Sequence, residues 1–366
     1  MKNLFLFSAS VAALLAVGCN KLPVPSPEVT TDENGYCELK LCLADNALTK
    51  VTGDPAAGET VIRNVQIFVF RAGADDKSSM LDACLAKGFD TALSASGTYS
   101  DISLKCTVGK RHIYAIVNAD ANYTSDGSVG TLADLLAKTM MLSGMNSDML
   151  LMTGCERGVT LNALNQTQTV KVYRSCASVI LQSVKNEMQS AVYQKAASFI
   201  IKKIYLTNVP ARINFGMTLP ASSLKDENAW YARQGAETVA GNRKLIYDEL
   251  SSDAYLEYKS VYNTQHTFYT FPNDCADVSG GSWSPRATRL VIEAKYSDGT
   301  AWHDCYYPIT LYKSGEGLEA NRQYKVNLTI NRPGSDDPDK PVEFSTLSGT
   351  ITVANWENGT TYTETI

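Results

Sequence analysis

Histidine is nearly missing from this chain: among 366 residues there are three, at 112, 266 and 303, widely scattered. That scatter disfavours His-based catalysis and His-rich metal sites, while carboxylate chemistry stays open. Charge is sparse too. Asp, Glu, Lys and Arg make up 19% of residues, below the usual soluble share, whereas 44% are hydrophobic, which argues against disorder and supplies ample core. The 33 Lys and Arg against 38 Asp and Glu leave a formal charge of −5 with no dense basic run, which argues against a nucleic-acid partner. No G-x-S-x-G, H-E-x-x-H, P-loop or G-x-G-x-x-G stretch occurs, so the sequence points to no enzyme and no cofactor. No CxxC pair or zinc-ligand spacing occurs either.

What is present begins with an address. Met1-Lys2-Asn3 gives a short positive start, and Leu4 to Val17 is an apolar stretch too short to span a bilayer comfortably. Ala16-Val17-Gly18-Cys19 follows, small residues before a Cys, similar to a bacterial lipobox in which the Cys thiol accepts a diacylglycerol and becomes the mature N-terminus. An ordinary secretory signal cut nearby is the alternative. Residues 1–18 are thus expected to be a signal peptide, and 20–34, with three Pro, a flexible tether. Beyond Cys19 eight Cys remain; export permits disulfides, and small buried hydrophobes serve as well.

Most of the rest alternates with period two. Cys37, Leu39, Leu41 and Leu43 share one face of a strand, and Val61–Phe70 becomes apolar on both faces, as a central strand does. Strands are also expected over 112–118, 178–181, 199–206, 266–271, 288–296, 306–312, 323–330 and 347–356, with alternation again from Val159 to Tyr173. Thr131 to Leu142 has spacing nearer 3.6, with Thr131 and Asp134 suited to a helix start, and predicts a short helix. Many short strands with turns between them indicate an all-β fold of β-sandwiches, and a break near Arg174 suggests two.

Several stretches, taken in order, resemble the fimbrillins, pilin subunits of the type V pili of Gram-negative anaerobes. They are Arg63-Asn64-Val65-Gln66-Ile67-Phe68-Val69-Phe70, then Gly109 to Ala119, Met152-Thr153-Gly154, Val172 to Val179, and Ile204 to Pro210. Tyr269 to Asn273, Asn321 to Val326 and Val353-Ala354-Asn355-Trp356 complete the series, which covers most of residues 36–356. Each motif alone is weak; their order, combined with the lipobox, is the specific part. The resemblance implies two transthyretin-like Greek-key β-sandwich domains, with short helices in loops, in an outer-membrane lipoprotein precursor. It further implies that a trypsin-like protease of Arg or Lys specificity removes the first strand, and that the C-terminal strand of the next subunit fills the opened groove. The partners would then be other copies of the chain and other pilus subunits. On this reading residues 19–50 are a lipidated tether and removable strand, 51–173 the first sandwich and 174–366 the second.

The mechanism needs a detachable strand with a buried face, and Cys37, Leu39, Leu41 and Leu43 provide one. It needs an accessible basic residue downstream: Lys50 is the only one between Leu43 and Val61, so cleavage is expected between Lys50 and Val51, with Arg63 as runner-up. Without the resemblance, Lys50 would read as a solvated loop lysine. It needs a replacement strand, and Leu347, Gly349, Ile351 and Val353 repeat the period-two spacing, since a one-residue slip would turn the apolar set to solvent. The competing reading of 347–353 is a permanent edge strand of its own domain. Asp75-Asp76 and Asp336-Asp337-Pro338-Asp339 read as solvated turn acids rather than calcium ligands, and no metal is expected. Trp230, Trp283, Trp302 and Trp356 read as core or loop aromatics rather than a sugar platform. The rivals to a shaft subunit are a glycan-binding surface lipoprotein that stays monomeric, and the anchor or tip subunit of the same pili.

Overall fold

A computed structural model of the chain describes residues 35–45, 59, 61–94, 98–162, 166–195, 198–220, 229–231, 245–275, 284, 286–311, 317–342, 347–355 and 361–365. The chain is all-β. Strands Tyr36–Asp45 (β1), Val61–Arg71 (β2), Leu81–Ser94 (β3), Thr98–Thr107 (β4) and Gly109–Val117 (β5) come first. Helix Leu132–Ala137 (α1) follows, then Thr139–Met141 (β6), Met152–Leu161 (β7) and Thr167–Arg174 (β8). Seven of these strands lie in the order β3-β2-β5-β7-β8-β1-β4 and enclose an apolar interior.

The second unit starts with Ala177–Asn186 (β9), Phe199–Thr207 (β10), Val209–Pro210 (β11), Arg212–Asn214 (β12) and Trp230–Tyr231 (β13). Then come Tyr247–Tyr255 (β14), Val261–Tyr262 (β15), His266–Thr270 (β16), Arg289–Ser297 (β17) and Trp302–Thr310 (β18). Arg322–Ile330 (β19), Leu347–Asn355 (β20) and Thr361–Thr365 (β21) close the chain. One sheet is ordered β14-β10-β17-β18; the other is β15-β9-β19-β20-β21, with β16 also on β9. Their inner faces share a core that includes Val179, Leu181, Ile204, Val291, Tyr324 and Val326.

β2 is apolar on both faces for a reason beyond its central place. Val65, Ile67 and Val69 point into the first unit's interior, while Phe68 and Phe70 join Tyr114 and Ile116 in a core continuous with that of the second unit. The two units are further tied by the short sheet of β6 and β12, by the Tyr114 hydroxyl donating to Phe215 O at 2.8 Å, and by Phe215 N–H donating to Lys138 O. This pairing corrects the expected helix. Thr131 and Asp134 do form a reciprocal cap, but the helix stops at Ala137, because residues 139–141 are drawn into the ladder with β12. Asp82, Cys84 and Leu85 lie on β3, a strand that the sequence reading did not name.

Asparagines close two strands by the same device. Asn118, just after β5, has φ 60, donates from Nδ2 to Val61 O and Leu150 O, and accepts from Arg63 N–H. Asn208, just after β10, has φ 54 and donates to Ala287 O. Asn tolerates this left-handed backbone better than other residues with a Cβ, and its amide then replaces ladder bonds that the turn gives up. Gly154 serves a different need: a Cβ there would lie 2.0 Å from Lys171 O, where β8 crosses β7. Asn118→Ala is expected to lose about 2–4 kcal/mol, combining left-handed strain with the loss of buried hydrogen bonds. Asn118→Gly should recover about 1–2 kcal/mol of that. Urea midpoints of the three proteins test this; equal losses for Ala and Gly would remove backbone conformation from the explanation.

Candidate functional site

β1 lies inside its sheet rather than at a rim. It pairs antiparallel with β4 from Tyr36–Thr107 to Ala44–Thr98, with an irregularity between Leu41 and Leu43, and parallel with β8 from Lys40–Thr167 to Asp45–Val172. Alternation sends Glu38 and Lys40 to solvent and Cys37, Leu39, Leu41 and Leu43 inward, the three leucines at 0%, 0% and 1% exposure. They pack with Ile102, Leu104 and Cys106 of β4, Val170 and Val172 of β8, and Ile67, Ile113 and Ala115 from across the interior. Among the described residues β1 is the only ladder partner of β4. Taking β1 away would therefore leave an apolar slot flanked by two unpaired backbone edges.

Polar contacts hold the walls of that slot independently of β1. Asp82, on β3, accepts from Thr107 N–H and Thr107 Oγ1, both at 2.8 Å, and from Arg111 Nε at 3.1 Å. Arg111 in turn donates to Lys110 O and Val108 O and contacts the Thr107 hydroxyl. The end of β4 is thus pinned to β3 and β5. Burial alone would raise the Asp82 carboxyl pKa, but the Thr107 donors, Arg71 and the Arg111 charge outweigh it and hold it below the ordinary carboxylate value. At the other end Glu59, two residues before β2, is buried with Arg174 at the close of β8. Arg174 donates from Nε and a terminal nitrogen to Glu59 O, and the Tyr269 hydroxyl of the second unit donates to Glu59 Oε1 at 2.9 Å. The chain entering β2 is therefore clamped where the two units meet. Burial and the adjacent Glu59 carboxylate push the Tyr269 phenol well up.

The other sequence-derived positions are distributed as follows. Cys19, Lys50 and Val51 lie outside the described residues, as do the signal and tether segments. Leu347, Gly349, Ile351 and Val353 all lie on β20, which pairs with β19 along its whole length and with β21 from Thr350 to Ala354. Leu347 and Ile351 are buried, and Gly349 fits against Asn327 O, 2.3 Å from where a Cβ would sit. β20 is thus an interior strand of its own sheet, flanked on both sides, with β21 at the edge beyond it. Trp230 is buried and Trp302 exposed, while Trp283 and Trp356 are outside the described residues. Among the described residues no group of three His, Cys, Asp or Glu side chains gathers as metal ligands. Asp75 caps its own turn through Ser78, and Asp76 pairs with Arg157. Asp82, Arg111 and Glu59 escaped the sequence reading; the available signal was a charge flanking or interrupting an otherwise apolar strand.

Residues 36–191 match the family model described as major fimbrial subunit protein (FimA), a span that starts at β1 and passes through β9. Over those residues the chain is similar to the FimA-like fimbrillins. Along its length it is 22% identical to the major fimbrium subunit FimA type-4 of Porphyromonas gingivalis, over 97% of this chain and 98% of that protein. It is 24% identical to the major fimbrium subunit FimC of the same organism, over 93% of this chain and 67% of that protein. A solved fimbrilin from Porphyromonas gingivalis superposes with a TM-score of 0.57 at 18% identity, over 88% of this chain and 98% of that one, a likeness of fold. The matched span contains the slot, β1 and the Asp82–Arg111 pin.

The pin makes an acid-sensitivity test. Because the folded pKa of Asp82 lies below the unfolded one, its contribution is complete at neutral pH and is lost as pH falls below about 4 and through the lowered value. Asp82→Ala should cost about 3–5 kcal/mol at pH 7 by leaving the Arg111 guanidinium buried without its carboxylate. Asp82→Asn should flatten the fall of the urea midpoint below pH 4. An unchanged acid slope would show that other carboxylates carry it.

Proposed function

We propose that the chain is a structural subunit of a type V fimbrium, exported as a lipoprotein precursor and assembled by strand replacement. Residues 1–18 direct export, Cys19 takes the lipid at the outer membrane, and a trypsin-like protease cuts between Lys50 and Val51. β1 then leaves, and the C-terminal segment of another subunit, bearing Leu347, Gly349, Ile351 and Val353, enters the slot between β4 and β8. Adhesion is the service such a fibre performs at the cell surface. The observation that carries this reading is the placement of β1: a first strand with three fully buried leucines, seated between two ladders. Burying those leucines is worth about 5–9 kcal/mol before ordering costs, at about 1.5–3 kcal/mol each. A donor filling the same pockets and both backbone edges would therefore leave very slowly. The clamp on Glu59 supports the reading as well, since it holds the chain downstream of the cut while the segment upstream is free to go.

A second reading has its own support. β20 is paired on both sides within its own sheet, which suits an end-piece at the fibre tip, where nothing lies beyond and no strand need be given away. Shaft and tip subunits both accept a donor strand; only the shaft subunit supplies one.

On the shaft reading, protein taken from the cell surface begins at Val51 and runs as a ladder of multimers on mild electrophoresis. Surface copies that all keep a lipid-bearing Cys19 would overturn cleavage and favour an anchor. Lys50→Ala should abolish the ladder, and fibres from that variant would refute the assigned cut. Two truncations separate the roles of the C-terminal strands. Removal of 361–366 should leave a folded protein, because among the described residues β21 pairs with β20 alone. Removal of 347–366 should leave a folded monomer unable to chain if β20 is the donor, whereas an unfolded product assigns β20 permanently to its own domain.

A further inference from the structure

We propose that Cys37 and Cys106 are an oxidisable thiol pair whose disulfide bolts β1 into its slot. Cys37 is the second residue of β1, and the antiparallel register sets it directly opposite Cys106 of β4. Both side chains face the interior, at 5% and 2% exposure, with their sulfurs 3.8 Å apart. Among the described residues the strand registers set no other two cysteines opposite each other. Directly opposed residues of an antiparallel ladder have Cα atoms about 4.5 or 5.5 Å apart, and both values fall within the span of about 4.4–6.8 Å that a disulfide bridges. Closing the sulfurs to about 2.05 Å is then a matter of side-chain rotation, with no movement of either strand. The pair sits near the start of β1 rather than in its middle. A cleft of about 410 Å³ opens there, lined by Tyr36, Cys37, Lys105 and Gln166, and gives a small reagent access to the Cys37 side.

The chemistry balances with an organic disulfide as oxidant. The two S–H bonds give up two protons and two electrons, the Cys37–Cys106 S–S bond forms, and the oxidant's S–S bond breaks to leave two thiols. Burial, and the Cys37 sulfur beside it, push the Cys106 thiol up to about 12. Thiolate is therefore scarce in the closed fold, and coupling proceeds during folding or when the start of β1 opens.

The consequence rests on the proposed removal of β1. The 69-residue separation of the two cysteines spans the cleavage segment, so a cut after Lys50 no longer frees residues 36–45 when the bond is closed. The nicked precursor would keep its slot filled until a reductant opened the bond. Assembly would then need two signals, a cut and a thiol-reducing environment. Cys37 leaves with the strand while Cys106 stays, so the lock works once and leaves one buried thiol in the groove beneath the incoming donor.

The test uses full-length precursor, treated with glutathione disulfide or with a phosphine reductant and then nicked with trypsin. In the oxidised sample, denaturing non-reducing electrophoresis should keep the N-terminal fragment on the body. Peptide mapping should show one peptide joining residues 37 and 106, and the multimer ladder should be lost. The phosphine should release the fragment and restore the ladder, and Cys37→Ser should shed the fragment in both conditions. Full alkylation of both cysteines by N-ethylmaleimide in denaturant after oxidation would overturn the pair. A fragment lost equally from oxidised and reduced wild-type protein would do the same. If the reduced, nicked protein forms no multimers while the oxidised sample yields the 37–106 peptide, the polymerisation reading fails and the thiol pair stands.

Discussion

The insertion of Leu39, Leu41 and Leu43 between two backbone ladders is the contact on which the first unit depends. A strand held only by its side chains could be replaced by any apolar surface, and one held only by its ladders by any edge. β1 is held by both. Removing it opens an apolar face and two rows of unpaired N–H and C=O groups together, a state that neither water nor local collapse repairs. The surrounding structure limits how far the walls can follow. β4, whose described ladder bonds all go to β1, is pinned at its end by Asp82, Thr107 and Arg111. β8 ends at Arg174, whose side chain grips the backbone of Glu59. The slot thus has fixed sides, and what fits it must carry the same spacing.

Fixed walls require fixed backing, and the second unit provides it. Phe68 and Phe70 on the outer face of β2 continue into the core that holds Val179, Ile204 and Val291, so the first unit cannot shear away without exposing that surface. The small sheet of β6 and β12 adds backbone bonds across the junction, and Tyr269 reaches Glu59 from the second unit. A force applied at one end of the molecule would pass through this junction rather than through β1 alone.

The parts legible in the sequence are those whose pattern is local. Period-two alternation exposed the buried face of β1, and the Thr131–Asp134 pair announced the start of α1, because both signals sit within a few residues. The length of α1 was not legible, since residues 139–141 answer to β12 some seventy positions away. β2 looked like a strand buried in one sheet, while its second face is buried by another unit, a distinction that hydrophobicity does not encode. The polar pins were hidden for the same reason. Asp82 reads as a surface acid until Thr107 and Arg111 are brought to it, and Arg174 reads as a linker charge until Glu59 lies beneath it. The double pairing of β20 lay beyond the sequence too: spacing alone cannot tell a strand that is kept from one that is given away.

That ambiguity in β20 has a physical resolution in the proposed cycle. While β1 is joined to β2 through residues 46–60, it competes for the slot as an intramolecular ligand at an effective concentration of order millimolar, and no separate subunit matches that. A donor also begins at a disadvantage, because leaving β19 costs it the burial of Leu347 and Ile351. Contact energies of similar size on both sides would leave exchange balanced, with the tether tipping it towards the closed monomer. Hydrolysis of one peptide bond removes the tether and turns β1 into a dilute, dissociable peptide. The direction of assembly then follows from loss of β1 by dilution rather than from a better-fitting donor. On this account β20 and β1 can bind with comparable strength and the fibre still forms in one direction, and any second link holding β1, such as a bond between Cys37 and Cys106, restores the tether and reverses the preference.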